Sequence, residues 1–173
     1  MPPPTGFPTV TPAIIIKLNV TNANPHGIIH TGSTFTHFDC PSGTIESTEG
    51  FSPAFKAKVN FGADWCTFDA DKEHGRLNLK VVARTDEGAS ISLDYNGVIR
   101  MDEAAWKVFT MQPDAKTMAF GAATGSCRFV VGDEKLKALE NNVFAGNGRI
   151  IVGENGLVAE SRLCQIVPST DMD

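Results

Sequence analysis

Between Arg76 and Arg100, apolar and polar side chains alternate along two arms that mirror each other about Asp86-Glu87-Gly88. A three-residue loop with Gly88 in the left-handed conformation sets Thr85 opposite Ala89. The two-residue period then pairs Leu79 with Tyr95, Val81 with Leu93 and Ala83 with Ile91 on a face shared with Leu77. The other face carries Asn78 beside Asn96, Lys80 beside Asp94 and Arg84 beside Ser90. Opposite charges facing each other across an antiparallel pair add roughly 0.2–1 kcal/mol. A register one residue away sets Lys80 against an apolar side chain, so pattern and charge choose the same hairpin.

The rest of the chain reads as further short strands. A proline-rich irregular arm at residues 1–12 leads into a first strand, Ala13 to Asn19, with three successive Ile. Asn22 to Gly27 has turn chemistry, Ile28 to Phe38 alternates weakly around Gly32, and Pro41-Ser42-Gly43 turns the chain into a strand near Thr44 to Ser47. Ala54 to Phe61 sets Phe55, Ala57, Val59 and Phe61 against Lys56, Lys58 and Asn60 before Gly62-Ala63-Asp64-Trp65 interrupts it. Asp102 is placed to cap a short helical turn through Trp106, and Asp133 to cap about two turns through Glu140 with Leu136 and Leu139 inward. Cys127 to Val131 and Arg149 to Val152 read as strands, and Glu154-Asn155-Gly156 turns the chain into a last one, Leu157 to Val167.

Many short strands, glycine-rich turns and one or two short helices predict a mainly β protein, an antiparallel barrel or sandwich. No long amphipathic helix alternates with the strands, which argues against a doubly wound sheet. A single domain over residues 13–168 with a flexible tail at 169–173 accommodates the pattern.

Composition narrows the partners. The 173 residues are 42% apolar and 20% charged with a net charge of −5, and no run of Lys or Arg tracks a phosphate backbone, so nucleic acid is not an expected partner. No segment approaches the roughly 20 apolar residues of a membrane span. Met1 to Pro8 lacks the basic flank of an export signal, so a cytoplasmic protein is expected, with Cys40, Cys66, Cys127 and Cys164 as reduced core thiols.

Familiar catalytic signatures are missing: there is no Gly-rich phosphate loop, no HExxH and no GxSxG elbow, and no cofactor is expected. His26, His30 and His37 lie near Asp39, but His26 and His30 share a strand face that His37 does not, which speaks against a metal set. Acid–base work by a histidine stays open. Asp64-Trp65 is either a turn acid with a core plug or an acid beside an aromatic lid. Lys80, Arg84, Asp94, Asn78 and Asn96 form a solvated face by pattern, and would line a charged cavity if that face of a barrel pointed inward. Arg128 poses the same choice. Tyr95, the one tyrosine, is either a core ring or a pocket donor.

Several segments together resemble the DUF3237 family, also called UPF0311. They are Gly43-Thr44-Ile45-Glu46, Gly62-Ala63-Asp64-Trp65, Arg84-Thr85-Asp86-Glu87-Gly88-Ala89 with Tyr95-Asn96-Gly97, and the run from Leu139 through Asn141-Asn142-Val143-Phe144 to Gly148. The resemblance extends from Ala13 to Val167. It implies a lipocalin-like, or calycin-like, antiparallel β-barrel that forms a homo-oligomer, most often a dimer. It also implies a link with fungal natural-product pathways, where small cofactor-free barrels isomerise, cyclise or dimerise reactive intermediates. Asp64, Trp65, Arg84 and Asp86 fall at family-like positions, with Asn142 near the closing motif. The chain departs from the family at Ala138-Leu139-Glu140-Asn141, which lacks the usual aromatics and so opens the pocket, and at Glu46-Ser47, which replaces a more glycine-rich continuation.

The resulting expectation is a cofactor-independent isomerase or cyclase, with dehydration and cycloaddition as variants. Its substrate would be a hydrophobic, oxygenated secondary-metabolite intermediate held in the barrel. Asp64 or a histidine such as His37 would move a proton, and Arg84 or Arg128, with Asp86 nearby, would stabilise developing negative charge. Trp65, Tyr95, Lys80, Asp94, Asn142 and His30 complete the expected substrate contacts. The alternative is a non-catalytic binding or carrier protein, whose pocket would present no titratable group to the ligand.

Overall fold

The computed structural model describes residues 5–171. The central hairpin forms in the expected register. Strand β6 (His74–Thr85) pairs with β7 (Ser90–Arg100) so that Leu79 meets Tyr95, Lys80 meets Asp94 and Arg84 meets Ser90. Gly88 takes φ 93° in the connecting loop, where its N–H donates to the Thr85 carbonyl at 3.0 Å.

Eight antiparallel strands, the two of this hairpin among them, close a ring. From β6 the ring runs to β5 (Lys56–Phe68), β4 (Ser42–Ser47), β1 (Thr9–Val20) and β10 (Gly156–Val167). It returns through β9 (Phe144–Gly153) and β8 (Ala123–Val131) to β7. Closure leaves no free edge among these eight strands. A further pair, β2 (Asn22–Ile28) and β3 (Thr34–Asp39), extends the wall, because β3 covers the second half of β5 where β4 covers the first.

Several boundaries differ from expectation: β8 and β9 begin earlier, at Ala123 and Phe144, and Ile28 to Phe38 is split by a turn before Thr34. Thr9 to Pro12 pairs with β10 from Val167 to Cys164, so part of the expected arm is strand. The first four residues of that arm, and the last two of the expected tail, lie outside the described residues. Asn22 to Gly27, expected as a turn, is strand β2, because its amides find partners on β3 despite the local Asn, Pro and Gly chemistry. Strand β5 runs on through Gly62-Ala63-Asp64-Trp65 to Phe68 rather than stopping there.

The lumen is packed at one end and looser at the other. Ile14, Ile16, Ile45, Val81, Ile91, Leu93, Phe129, Phe144 and Leu163 fill the first end, each nearly solvent-free. Asp133 caps a 3-10 turn (Glu134–Leu136) that leads into α2 (Ala138–Asn141), placing Leu136 and Leu139 over this core as expected. At the opposite end lies α1 (Glu103–Phe109), whose N-cap Asp102 accepts the Ala105 N–H at 2.9 Å. Val108 is buried there, and the Phe109 ring meets Phe38 and Phe68 edge-on at 5.6 and 5.4 Å.

Near α1 the β8–β9 ladder ends at the Ala123–Gly148 pair. The segment before β8 takes over: Met118 donates its N–H to the Ile150 carbonyl and Arg100 donates to Ala122, both at 2.9 Å. Outside this seam the Phe120 ring receives the Arg149 and Arg162 guanidinium groups at 4.4 and 4.7 Å.

Candidate active site

A bulge in β5 decides what faces the lumen. Val59 pairs with Ala83, but Phe61 rather than Asn60 or Gly62 pairs with Val82, which shifts the alternation by one residue. Before the bulge Ala57 and Val59 are buried; after it Cys66 and Phe68 are, and Asp64 shares their parity. Phe61 is left 54% exposed. Trp65 is turned to the outer side, where it meets His37 edge-on at 5.0 Å.

Asp64 therefore points into the barrel. The β5–β6 pairing lapses between Asp64–Leu79 and Thr67–Arg76. Asp64 Oδ1 accepts the Asn78 backbone N–H left over by this lapse, at 2.9 Å. Burial pushes the Asp64 carboxyl up to about 6, and the Asn78 hydrogen bond restrains the rise. Near neutrality such a group can take up or release a proton.

Leu79 and Tyr95 continue the row that Asp64 begins, across β6 and β7. The carboxylate and the phenol thus stand on alternate strands, roughly 9–10 Å apart at the backbone. Two glycines make room for the Tyr95 ring. A methyl group at Gly97 would come within 2.9 Å of Tyr95 Cε1, and one at Gly125 within 2.6 Å of Tyr95 Cζ. The ring is 2% exposed, and its hydroxyl makes no hydrogen bond of good geometry among the described residues, although the Ser161 side chain lies close by. Burial, and after it the proximity of Cys127 and Asp64, pushes the phenol up to about 12, while Ser161 is close enough to restrain the shift. At neutral pH the hydroxyl is a donor looking for an acceptor.

Around these groups lies a partly open, mainly apolar cavity. Its walls include Leu18, Phe38, Leu77, Ile99, Phe109 and Ala159, with Cys40, Ser161 and the paired Arg149 and Glu160 as further polar residues. About 80 Å³ is free for the centres of water-sized molecules, several times the ~10–15 Å³ that one water needs. Burial, with Asp64 and Asp39 adding to it, pushes the Cys40 thiol up to about 12, and burial also raises Cys66 and Cys127. These thiols stay protonated and are poor nucleophiles. All four cysteines are free, as expected of reduced thiols.

The other residues singled out in the sequence lie elsewhere. Lys80 and Asp94 form a 2.7 Å ion pair on the outer surface, and Asp94 also accepts from Asn96 at 2.8 Å. Arg128 stands beside Asp94 in register and is exposed. Arg84 is exposed near Ser90, and Asp86 meets Lys58 at 3.4 Å in solvent. The hairpin's polar face thus points outward, and the oxyanion role expected of Arg84 or Arg128 has no geometric support. His37 lies outside beside Asp39, Nδ1 to Oδ1 3.3 Å, and His30 is exposed in the turn after β2. Asn142 donates to the Ala138 carbonyl at 2.7 Å and accepts from Gln165 at 2.9 Å, tying α2 to β10 rather than meeting the cavity. Among the described residues no group of three or more His, Cys, Asp or Glu side chains is arranged to hold a metal ion.

Cavity residues that the sequence did not flag are Cys40, Ser161, the Arg149–Glu160 pair and the collar near α1. Ser161 carries a signal in retrospect, since it alternates inward with Leu157, Ala159 and Leu163 along β10. Cys40 sits at a strand junction, where alternation gives no guide.

The family described as "Protein of unknown function (DUF3237)" matches residues 8–165. The chain belongs to the DUF3237 family. DUF3237 membership agrees with the solved structures that share this fold. A conserved protein of unknown function from Rhodopseudomonas palustris superposes with TM-score 0.76 at 18% identity, covering 94% of this chain and 100% of that one. A beta-barrel like protein from Acinetobacter baumannii gives TM-score 0.69 at 17% identity, covering 96% of this chain and 98% of its own. An enzyme from Penicillium herquei gives 0.60 at 16% identity, covering 94% and 98%. No curated protein matches the chain. These likenesses establish the antiparallel β-barrel fold. No helix among the described residues is long and apolar enough to cross a membrane.

Proposed function

We propose that this DUF3237 protein is a cofactor-independent isomerase or cyclase for a hydrophobic, oxygenated small molecule, with Asp64 as its general acid–base group. The observation that carries the reading is a carboxyl with its pKa raised to about 6 by burial, opening on an apolar cavity that Tyr95 also lines. Asp64 carboxylate removes a proton from carbon or oxygen of the substrate and becomes the neutral acid. Tyr95 donates a hydrogen bond to the oxygen on which negative charge develops. Asp64 then returns the proton at a different atom, which isomerises the substrate or completes a ring closure with no external oxidant or reductant. The apolar walls exclude water and hold the reacting atoms together.

The fungal enzyme among the structural relatives is compatible with a catalytic member of this fold, and a role in secondary metabolism belongs to the same proposal. A carrier would be better served by a cavity without a titratable group. Hydrogen–deuterium exchange of 1-phenylbutane-1,3-dione in heavy water, followed by proton NMR, tests the chemistry without knowledge of the native substrate. The protein should accelerate exchange at the carbon between the carbonyls, and Asp64→Asn should lose most of that acceleration. Binding of the diketone with no acceleration would leave the carrier reading in its place.

A further inference from the structure

The inner cavity adjoins a groove on the surface, and the two share part of their lining. Val20 at the end of β1, Val108 on α1, Met111 just beyond it and Leu157 on β10 line both spaces. The inner space offers about 80 Å³ to the centres of water-sized molecules, whereas the groove offers about 920 Å³. The groove runs between the β9–β10 hairpin and the segment after α1, past Gln112, Ala115, Val152 and Val158.

Met111 holds an unusual position in this collar. Its N–H donates to the Val108 carbonyl at 3.0 Å, and the Gln112 N–H donates to Lys107 at 2.9 Å, the pair of bonds that closes a helix around a left-handed residue. Glycine usually fills that place because a side chain crowds the left-handed backbone. Here methionine takes it at φ 53° and remains 53% exposed at the cavity mouth. A flexible, polarisable side chain on a strained backbone suits a movable wall better than a structural plug.

We infer that the ligand is elongated and bipartite: a compact, oxygen-bearing head sits at Asp64 and Tyr95, and an apolar tail leaves through the Val20, Val108, Met111 and Leu157 collar to lie in the outer groove. Assignment of the head rests on the proposed function; assignment of the tail rests on the four side chains that line both spaces. The inner space, lined in part by Asp64 and Tyr95, is too small for a large molecule. The collar is apolar on every side, so the part of the ligand that passes it carries no charge.

The test is a homologous series of 2-alkanones, from about six to about fourteen carbons, titrated calorimetrically into the full chain. Affinity should keep rising by about two- to fourfold per methylene beyond the length that fills the inner space. Met111→Gly, which relaxes the backbone, should keep or raise the melting temperature yet weaken binding by a factor that grows with chain length. Leu157→Gln should flatten the same slope from the opposite wall. An affinity that levels off at the short ketones, or a slope untouched by both substitutions, overturns the inference. Asp64→Asn separates the two proposals: a slope that persists while exchange is undiminished sinks the acid–base role alone, and Asp64-dependent exchange with no slope sinks the collar alone.

Discussion

Asp64 accepts the backbone N–H of Asn78 at 2.9 Å while facing the apolar half of the barrel. This bond restrains, without cancelling, the rise of its pKa caused by burial. The folded protein therefore holds that proton more tightly than the unfolded chain does. Stability contributed by the protonated form is complete below about pH 4 and declines as pH rises toward about 6, after which it is constant. The loss is on the order of 2–3 kcal/mol. Asp64→Asn keeps an acceptor for Asn78 but cannot ionise, so urea unfolding should show a variant more stable than the parent at pH 7 and nearly equal to it at pH 4.

Tyr95→Phe removes a buried hydroxyl that makes no hydrogen bond of good geometry among the described residues. A structural hydroxyl would cost about 1 kcal/mol to delete, whereas an unsatisfied one costs nothing or less. Thermal unfolding of the variant should match or exceed the parent, while the exchange rate falls by about tenfold or more. A clear drop in melting temperature would mean that the hydroxyl is satisfied in solution. Gly125→Ala pushes on the same ring and on the Asn96 carbonyl, 2.5 Å from the added methyl, and should lower both stability and rate.

Arg84→Met and Arg128→Met alter side chains in solvent on the barrel's outer face. Exchange should stay within about twofold of the parent, a difference of about 0.4 kcal/mol in barrier. A tenfold loss in either variant would return these arginines to the chemistry and require the hairpin to turn its polar face toward the ligand.

Glu160 behaves oppositely to Asp64. Its carboxylate is 2% exposed and meets Arg149 at 2.7 Å and Arg162 at 3.2 Å. Burial alone would raise its pKa, but hydrogen bonds from the two arginines outweigh that and hold it below the ordinary range. Its stabilising contribution is present above the unfolded glutamate value, about 4.3, and is lost as pH falls through the lower folded value. Glu160→Gln should cost about 1–3 kcal/mol at pH 7 and much less in acid, measured by urea unfolding at both pH values.

The central hairpin was legible to the residue, because alternation, a glycine loop and the Lys80–Asp94 pair all specified one register. Asp64 was legible as a candidate, yet its direction was not. Extending the alternation of Phe55, Ala57, Val59 and Phe61 turns Trp65 inward and Asp64 outward. The bulge at Val59–Phe61 reverses both. A bulge adds one residue without a fixed composition, so nothing local announces it. Strand β2 was hidden for a related reason, since its pairing with β3 overrides turn-forming residues. Ser161 and the collar come from segments far apart in sequence, and only ring closure brings them to the same end of the barrel.

The division of the lumen has an evolutionary reading. Because Ile14, Ile45, Phe129, Phe144 and their neighbours anchor the chain at one pole, substitutions at the other can reshape what is admitted with little risk of collapse. Such a scaffold could be retuned for new guests by exchanging a handful of side chains around the helix-covered mouth.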